Sequence, residues 1–156
     1  MKVSNEIINI FPEIKKWRHE LHAHPELGYE EEWTSNFVAE KLESFGLEVH
    51  RGMAKTGVVG VLKGTNASFS GGGNKAIGLR ADMDALPMTE ENDFSYKSKF
   101  DGRMHACGHD GHTAMLLGAA KLLSSKKDFD GTVYFIFQPA EEGGGGGLAM
   151  LSLIHI

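Results

Sequence analysis

Apolar and polar positions follow two rhythms along this chain, and the rhythms predict most of its elements. From residue 6 to 22, Ile7, Ile10, Phe11, Ile14, Trp17 and Leu21 return at steps of three and four, with Arg18 the polar exception on the stripe. That period predicts an amphipathic helix. Pro12 falls inside the pattern and is expected to mark the true start near Phe11 or Pro12, because a first turn tolerates proline and a helix interior does not. His22-Ala23-His24-Pro25-Glu26-Leu27-Gly28 then breaks the helix. His22 and His24 are metal ligands by residue type, but capping or lining this loop is the reading their position favours. A second helical stripe, Trp33, Phe37, Val38, Leu42 and Phe45, covers 31–45 and stops at Gly46.

The rhythm then shortens. Residues 47–50 predict a short strand. The run 57–62 (Gly-Val-Val-Gly-Val-Leu) predicts a buried one, and 64–75, rich in Gly, Ser and Asn, a long hairpin connection. A third strand is expected at 76–81, running into Asp82-Met83-Asp84-Ala85-Leu86-Pro87. Acids at the end of a buried strand lie where open α/β sheets place their sites; a turn that uses Asp and Pro only for its backbone is the equal alternative. Residues 88–104 read as an exposed loop. A densely apolar helix follows at 113–123, opening at Gly111 or His112. The run 132–137 (Thr-Val-Tyr-Phe-Ile-Phe) is continuous enough to be a central strand. Helix, helix, strands, helix, strand is an α/β order, with a mixed or largely parallel sheet and a site where strand-end loops converge.

The chemistry is concentrated where these elements end. Residues 105–112 (His-Ala-Cys-Gly-His-Asp-Gly-His) hold the only cysteine and three of eight histidines, with glycines that let the backbone bend closely around an ion. Thiolate and imidazole suit a borderline-soft divalent metal. The position just before a helix is expected to lower the Cys107 pKa. The run 138–143 (Gln-Pro-Ala-Glu-Glu-Gly) adds adjacent carboxylates past a strand. Alone such a pair is commonly a solvated face; here Glu141 and Glu142 can divide the labour, one binding metal and one moving protons. Cys107 and His109 can reach one ion, or Cys107 can bridge two, and Asp110 or Asp84 can orient a ligand imidazole from behind. A hydrolase that uses Cys107 as nucleophile with His109 or His112 is a weaker alternative.

Composition narrows the class. A chain of 156 residues, 41% hydrophobic, suits one domain of ordinary size. The net charge of −5, with both signs interspersed, lacks the basic face of a nucleic-acid binder. One cysteine cannot close an internal disulfide, which points to a reducing, cytoplasmic setting. No leader pattern opens the chain, and no run approaches the ~20 apolar residues of a membrane span. Nucleotide-binding glycine fingerprints and the Gly-x-Ser-x-Gly elbow are absent.

Four motifs, Leu21-His22-x-x-Pro25-Glu26-Leu27-Gly28, Arg80 to Pro87, Met104 to His112 and Gln138 to Gly143, together resemble the metal-dependent N-acyl-amino-acid amidohydrolases. This is the metallopeptidase branch with hippurate hydrolase, auxin-conjugate hydrolases and related carboxypeptidases. The resemblance covers roughly residues 5–150. It implies a three-layer αβα catalytic domain with a mixed, largely parallel sheet. It also implies a small-molecule N-acyl amino acid substrate, and two divalent metals per full-length subunit (Zn or Mn, with Co or Ni as alternatives). Cys107, His109 and Glu142 are then the metal ligands present, Glu141 the general base and Asp84 a support for the site. Related branches carry histidine where this chain has Asp82, so Asp82 is not assigned as a ligand. Family members are much longer, bring further ligand histidines and a dimerisation or lid domain, and are expected to be homo-oligomers. Residues 1–150 are therefore expected to be the N-terminal part of the catalytic domain and 151–156 a tail outside the family pattern. His155 is not assigned as a ligand. The alternative function for the chain as it stands is an inactive metal-binding fragment.

Overall fold

The computed structural model describes residues 3–65 and 75–154. Its elements are α1 (Asn5–His22), α2 (Glu32–Ser44), β1 (Glu48–Met53), β2 (Gly57–Lys63), β3 (Ala76–Asp82), α3 (His109–Lys126), β4 (Thr132–Gln138) and α4 (Gly146–Ile154). Most of the expected 64–75 connection, and His155, lie outside the described residues.

Helix α1 begins earlier than the proline rule predicts. Ser4 caps it by accepting from the Ile7 amide (3.4 Å), Glu6 sits in the first turn, and Pro12 lies inside the helix. The cap and the favourable first-turn charge offset the hydrogen bond that Pro12 cannot make. The added turns bury little: Ile7, Ile8 and Phe11 are 41–59% exposed. Helix α3 likewise starts earlier than expected, at His109, directly after Gly108 in the left-handed conformation (φ 93°). The end of the 105–112 cluster is therefore the first turn of a helix.

The described strands form one mixed sheet in the order β1-β2-β4-β3. The sheet is less parallel than its α/β order suggests. β1–β2 and β2–β4 are antiparallel, and only β3–β4 is parallel, joined by the α3 crossover. The apolar run of β4 takes the central place expected of it. Val133, Phe135 and Phe137 face a core shared with Trp17 and Leu21 of α1, Val38 and Leu42 of α2, Val58 and Leu62 of β2, and Ala114 and Leu117 of α3. Tyr134 and Ile136 face the other way, beside α4, whose Met150 and Leu151 line the same groove. Helices thus lie on both faces, α1–α3 on one and α4 on the other. α4 continues through 151–154, inside the stretch expected to be a tail.

The parallel pair fixes the position of the site. Asp82 ends β3 and stands in register with Gln138, which ends β4. The segments leaving these strands carry Asp84 and Glu141-Glu142. Open sheets gather ligands at such carboxyl ends.

Candidate metal centre

His109 is the hub. Its ring is 2% exposed, and Nδ1 donates to the Asp84 carbonyl (2.9 Å) and to Asp84 Oδ1 (3.2 Å). Those bonds fix the tautomer and leave the Nε2 lone pair free. Around Nε2 stand Asp82 Oδ1 (3.5 Å), Glu141 Oε2 (3.8 Å) and Glu142 Oε1 (3.9 Å). Donor atoms of Cys107, His109 and Glu142 all lie within 4.8 Å of one another. Asp84 Oδ2 also accepts the Glu142 amide at 2.8 Å, so one carboxylate orients both the imidazole and the acidic turn.

The electrostatics suit a cation. Burial alone would push the Asp84 carboxyl up; hydrogen bonds from His109 and from the Glu142 and Glu141 amides outweigh it and hold the group below the usual carboxylate range. Burial would lower the His109 pKa, but Asp84 and Asp82 raise it. The Cys107 thiol is exposed, and its pKa is raised, first by its hydrogen bond to Glu142, then by burial and the charges of Glu142, Glu141 and Asp82. The direction is opposite to the lowering expected at a helix terminus. Sulfur, nitrogen and oxygen donors crowded by mutual negative charge fit a borderline divalent ion, which would reverse the thiol's shift.

A second donor group, not singled out in the sequence, shares the same hub: Asp82, His109 and His112. His112 Nδ1 lies 2.6 Å from Asp82 Oδ1, and Arg80 Nη1 lies 3.2 Å from Asp82 Oδ2. The His109 Nε2 lone pair can serve only one ion at a time. In the sequence His112 is one histidine among three in the cluster, named only as an alternative base beside Cys107; its partner Asp82 comes from thirty residues upstream.

The remaining sequence candidates separate from this centre. Asp110 turns away from His109. It accepts from His22 Nδ1 (2.8 Å) and Arg18 Nε (3.2 Å), and His22 Nε2 reaches Glu90 Oε1 (3.1 Å). Of the two acids able to orient a ligand imidazole, Asp84 is the one placed to do so. His24 stacks on Trp33 with ring centroids 4.3 Å apart. Both loop histidines therefore hold α1 to its neighbours.

The model for peptidase family M20/M25/M40 matches residues 78–155. The chain belongs to this family. It is 52% identical over 151 residues to the hippurate hydrolase of Campylobacter jejuni, covering 97% of this chain and 38% of that protein. It is 50% identical over 143 residues to the N-acyl-L-amino acid amidohydrolase of Geobacillus stearothermophilus, covering 88% of this chain and 37% of that protein. Among solved structures, the YXEP protein of Bacillus subtilis, described as a dinuclear metal binding peptidase from the M20 family, superposes with TM-score 0.85 at 39% identity, over 93% of this chain and 39% of that one. This M20 chain spans about two fifths of the length of the relatives it matches.

Proposed function

We propose that this M20 chain supplies part of a metal-dependent amidohydrolase centre that cleaves the amide bond of N-acyl amino acids. The convergence of Cys107, His109 and Glu142 donors within 4.8 Å, with Glu141 beside them, carries the reading. Cys107, His109 and Glu142 would hold a divalent cation, which would supply Lewis acidity to water and to the scissile carbonyl. Glu141, 43% exposed at its side chain, takes the proton of the attacking water and returns it to the leaving nitrogen. Asp84 keeps the His109 ring in its Nδ1–H tautomer. Zn or Mn, with Co or Ni as substitutes, and two ions in the complete subunit extend the same reading. Residues 1–150 serve as the N-terminal part of the catalytic domain of a homo-oligomeric, cytoplasmic enzyme whose partner is a small molecule. Among the described residues no helix is long and apolar enough to cross a membrane.

In an enzyme that carries this sequence and turns over an N-acyl amino acid, chelator is expected to abolish hydrolysis and Zn or Mn to restore it. Glu141→Gln is expected to cut kcat by about two to four orders of magnitude with metal content unchanged, the usual range for a lost proton-transfer group. Retained turnover in that variant would remove Glu141 from its role. Activity that survives chelation but not Cys107→Ser would favour a cysteine nucleophile. A second reading, metal binding without turnover, applies to the 156-residue chain itself, because it spans only 38% of its hippurate hydrolase relative. Assay of this chain on an N-acyl amino acid is expected to show metal uptake and no hydrolysis.

A further inference from the structure

Two buried carboxylates hold the turn that presents Glu141 and Glu142. Asp84 is one. The other is Glu31, which is 0% exposed and lies 109 residues upstream of the amide it binds. Its Oε1 accepts from the Ala140 amide at 2.8 Å, and its Oε2 accepts from the Thr56 hydroxyl at 2.6 Å. Glu31 occupies the N-cap position of α2 yet makes no side-chain cap bond there. Glu26 serves that helix instead, accepting from the Trp33 (3.0 Å) and Thr34 (2.8 Å) amides. The Glu31 carboxylate is thus committed to the turn and not to its own helix.

The turn needs such a hold. Ala140 is fully buried and sits at φ 50°, a left-handed conformation that a residue with a Cβ rarely adopts unless its surroundings impose it. Its amide has no water to turn to, so an unmet bond there is costly. The neighbouring segment closes over it. A Cβ on Gly28 would stand 3.0 Å from the Ala140 Cα and Cβ, and the Tyr29 hydroxyl donates to the Gly144 carbonyl at 2.8 Å. Following Ala140, the Glu142 amide falls to Asp84 and the side chains of Glu141 and Glu142 project toward His109 Nε2.

We propose that Glu31 is a positioning residue of the metal-binding turn: by holding the Ala140 amide it fixes the left-handed step that aims Glu142, with Glu141, at the metal position. The metal half of this statement rests on the function proposed above; the hold on the turn does not. Burial pushes the Glu31 carboxyl up, while the Thr56 and Ala140 hydrogen bonds pull it down. The hold itself needs only an acceptor at Oε1. Glutamine keeps that acceptor and can donate to a reoriented Thr56 hydroxyl, whereas leucine fills similar space and leaves the Ala140 amide unpaired.

The test uses the full 156-residue chain as wild type, Glu31→Gln and Glu31→Leu. Amide hydrogen exchange at Ala140 reports the hold, and the thiolate-to-Co(II) charge-transfer band of Cys107 reports metal uptake. In the wild type, the Ala140 amide is expected to exchange as slowly as those of the central strand. Glu31→Gln is expected to stay within about twofold of wild type in both readouts. Glu31→Leu is expected to speed Ala140 exchange and to raise the Co2+ dissociation constant, each by about tenfold or more, the range seen when an outer-shell partner is lost. A folded leucine variant that binds Co2+ as tightly as wild type overturns the proposal, as does a glutamine variant that behaves like leucine. Should the leucine chain fail to fold, fast Ala140 exchange in the wild type still overturns it. A wild type that takes up Co2+ without a thiolate band ends the metal reading alone, and the Ala140 exchange comparison then decides the hold by itself.

Discussion

Four histidines of one small domain are held in contrasting environments. His109 is bound through Nδ1 by Asp84, and His112 through Nδ1 by Asp82. His22 lies between two carboxylates; its hydrogen bond to Asp110 is the main reason its pKa is raised above 6.5, with Glu90 adding to it against the effect of burial. His105 is 5% exposed with neither ring nitrogen bonded, and burial lowers its pKa to about 4. Stability linkage therefore runs in opposite directions for the last two. A histidine whose folded pKa is depressed must unfold to gain its proton, so His105 makes stability fall as pH drops from about 6.5 toward 4, by up to about 3 kcal/mol. His22 contributes stability fully present below 6.5 and lost as pH rises through its raised folded value. NMR titration of the metal-free chain is expected to show His22 protonating well before His105 as pH falls. His22→Gln is expected to destabilise the chain more at pH 6 than at pH 9, by urea unfolding. Equal losses at the two pH values would show that the His22 charge contributes nothing to folding.

At the scale of elements, α1 and α3 approach closely because Gly118 on α3 leaves room for Ile14 of α1; a Cβ at Gly118 would land on the Ile14 side chain. Gly118→Ala gains about 1 kcal/mol of helix propensity but overpacks the contact, which costs about 1–3 kcal/mol. Net destabilisation is expected in the wild-type background and net stabilisation once Ile14→Ala has opened the contact. A thermal or urea double-mutant cycle measures the reversal, and additive effects would show that the helices do not press together there. Period and composition made α2, β2, β3 and β4 legible in the sequence, because a helical stripe or a short apolar run bounded by turn residues is a local signal. Boundaries were less legible. The start of α1 depended on a capping serine competing with a proline, and the start of α3 on a left-handed glycine. Sheet order was not legible, since nothing in the Thr132–Gln138 run tells it to insert between β2 and β3. For the site, residue type and spacing pointed to Cys107, His109, Glu141 and Glu142 and left Asp84 and Asp110 as alternatives, between which the family resemblance favoured Asp84. They were silent on Glu31, Asp82–His112 and Glu90–His22, because those pairs join across the fold at separations of 25 to 109 residues, with no local signal.

Across the whole molecule, the two faces of the sheet differ sharply in how they are covered. The face toward α1–α3 is closed around Phe135 and Phe137, both 0% exposed. The other face carries an open groove of about 730 Å³, lined in part by Met53, Val59, Tyr134, Ile136 and Met150, with α4 covering one end. Alternation along one strand therefore places neighbours in opposite regimes. Phe135→Ala removes ring contacts from a filled core and is expected to cost about 3–5 kcal/mol. Ile136→Lys sets a charge at the wall of an open groove, where the flexible stem can bring its ammonium to water, and is expected to cost under about 1 kcal/mol. The groove should also bind an apolar dye such as ANS on the native chain, because contiguous apolar walls remain reachable from solvent. Ile136→Lys should weaken that fluorescence while the urea midpoint barely moves; Phe135→Ala should lower the midpoint strongly and leave native dye binding unchanged well below it. A lysine at 136 that unfolds the chain as effectively as alanine at 135 would mean that the groove is closed in solution and that the core extends through both faces of the sheet.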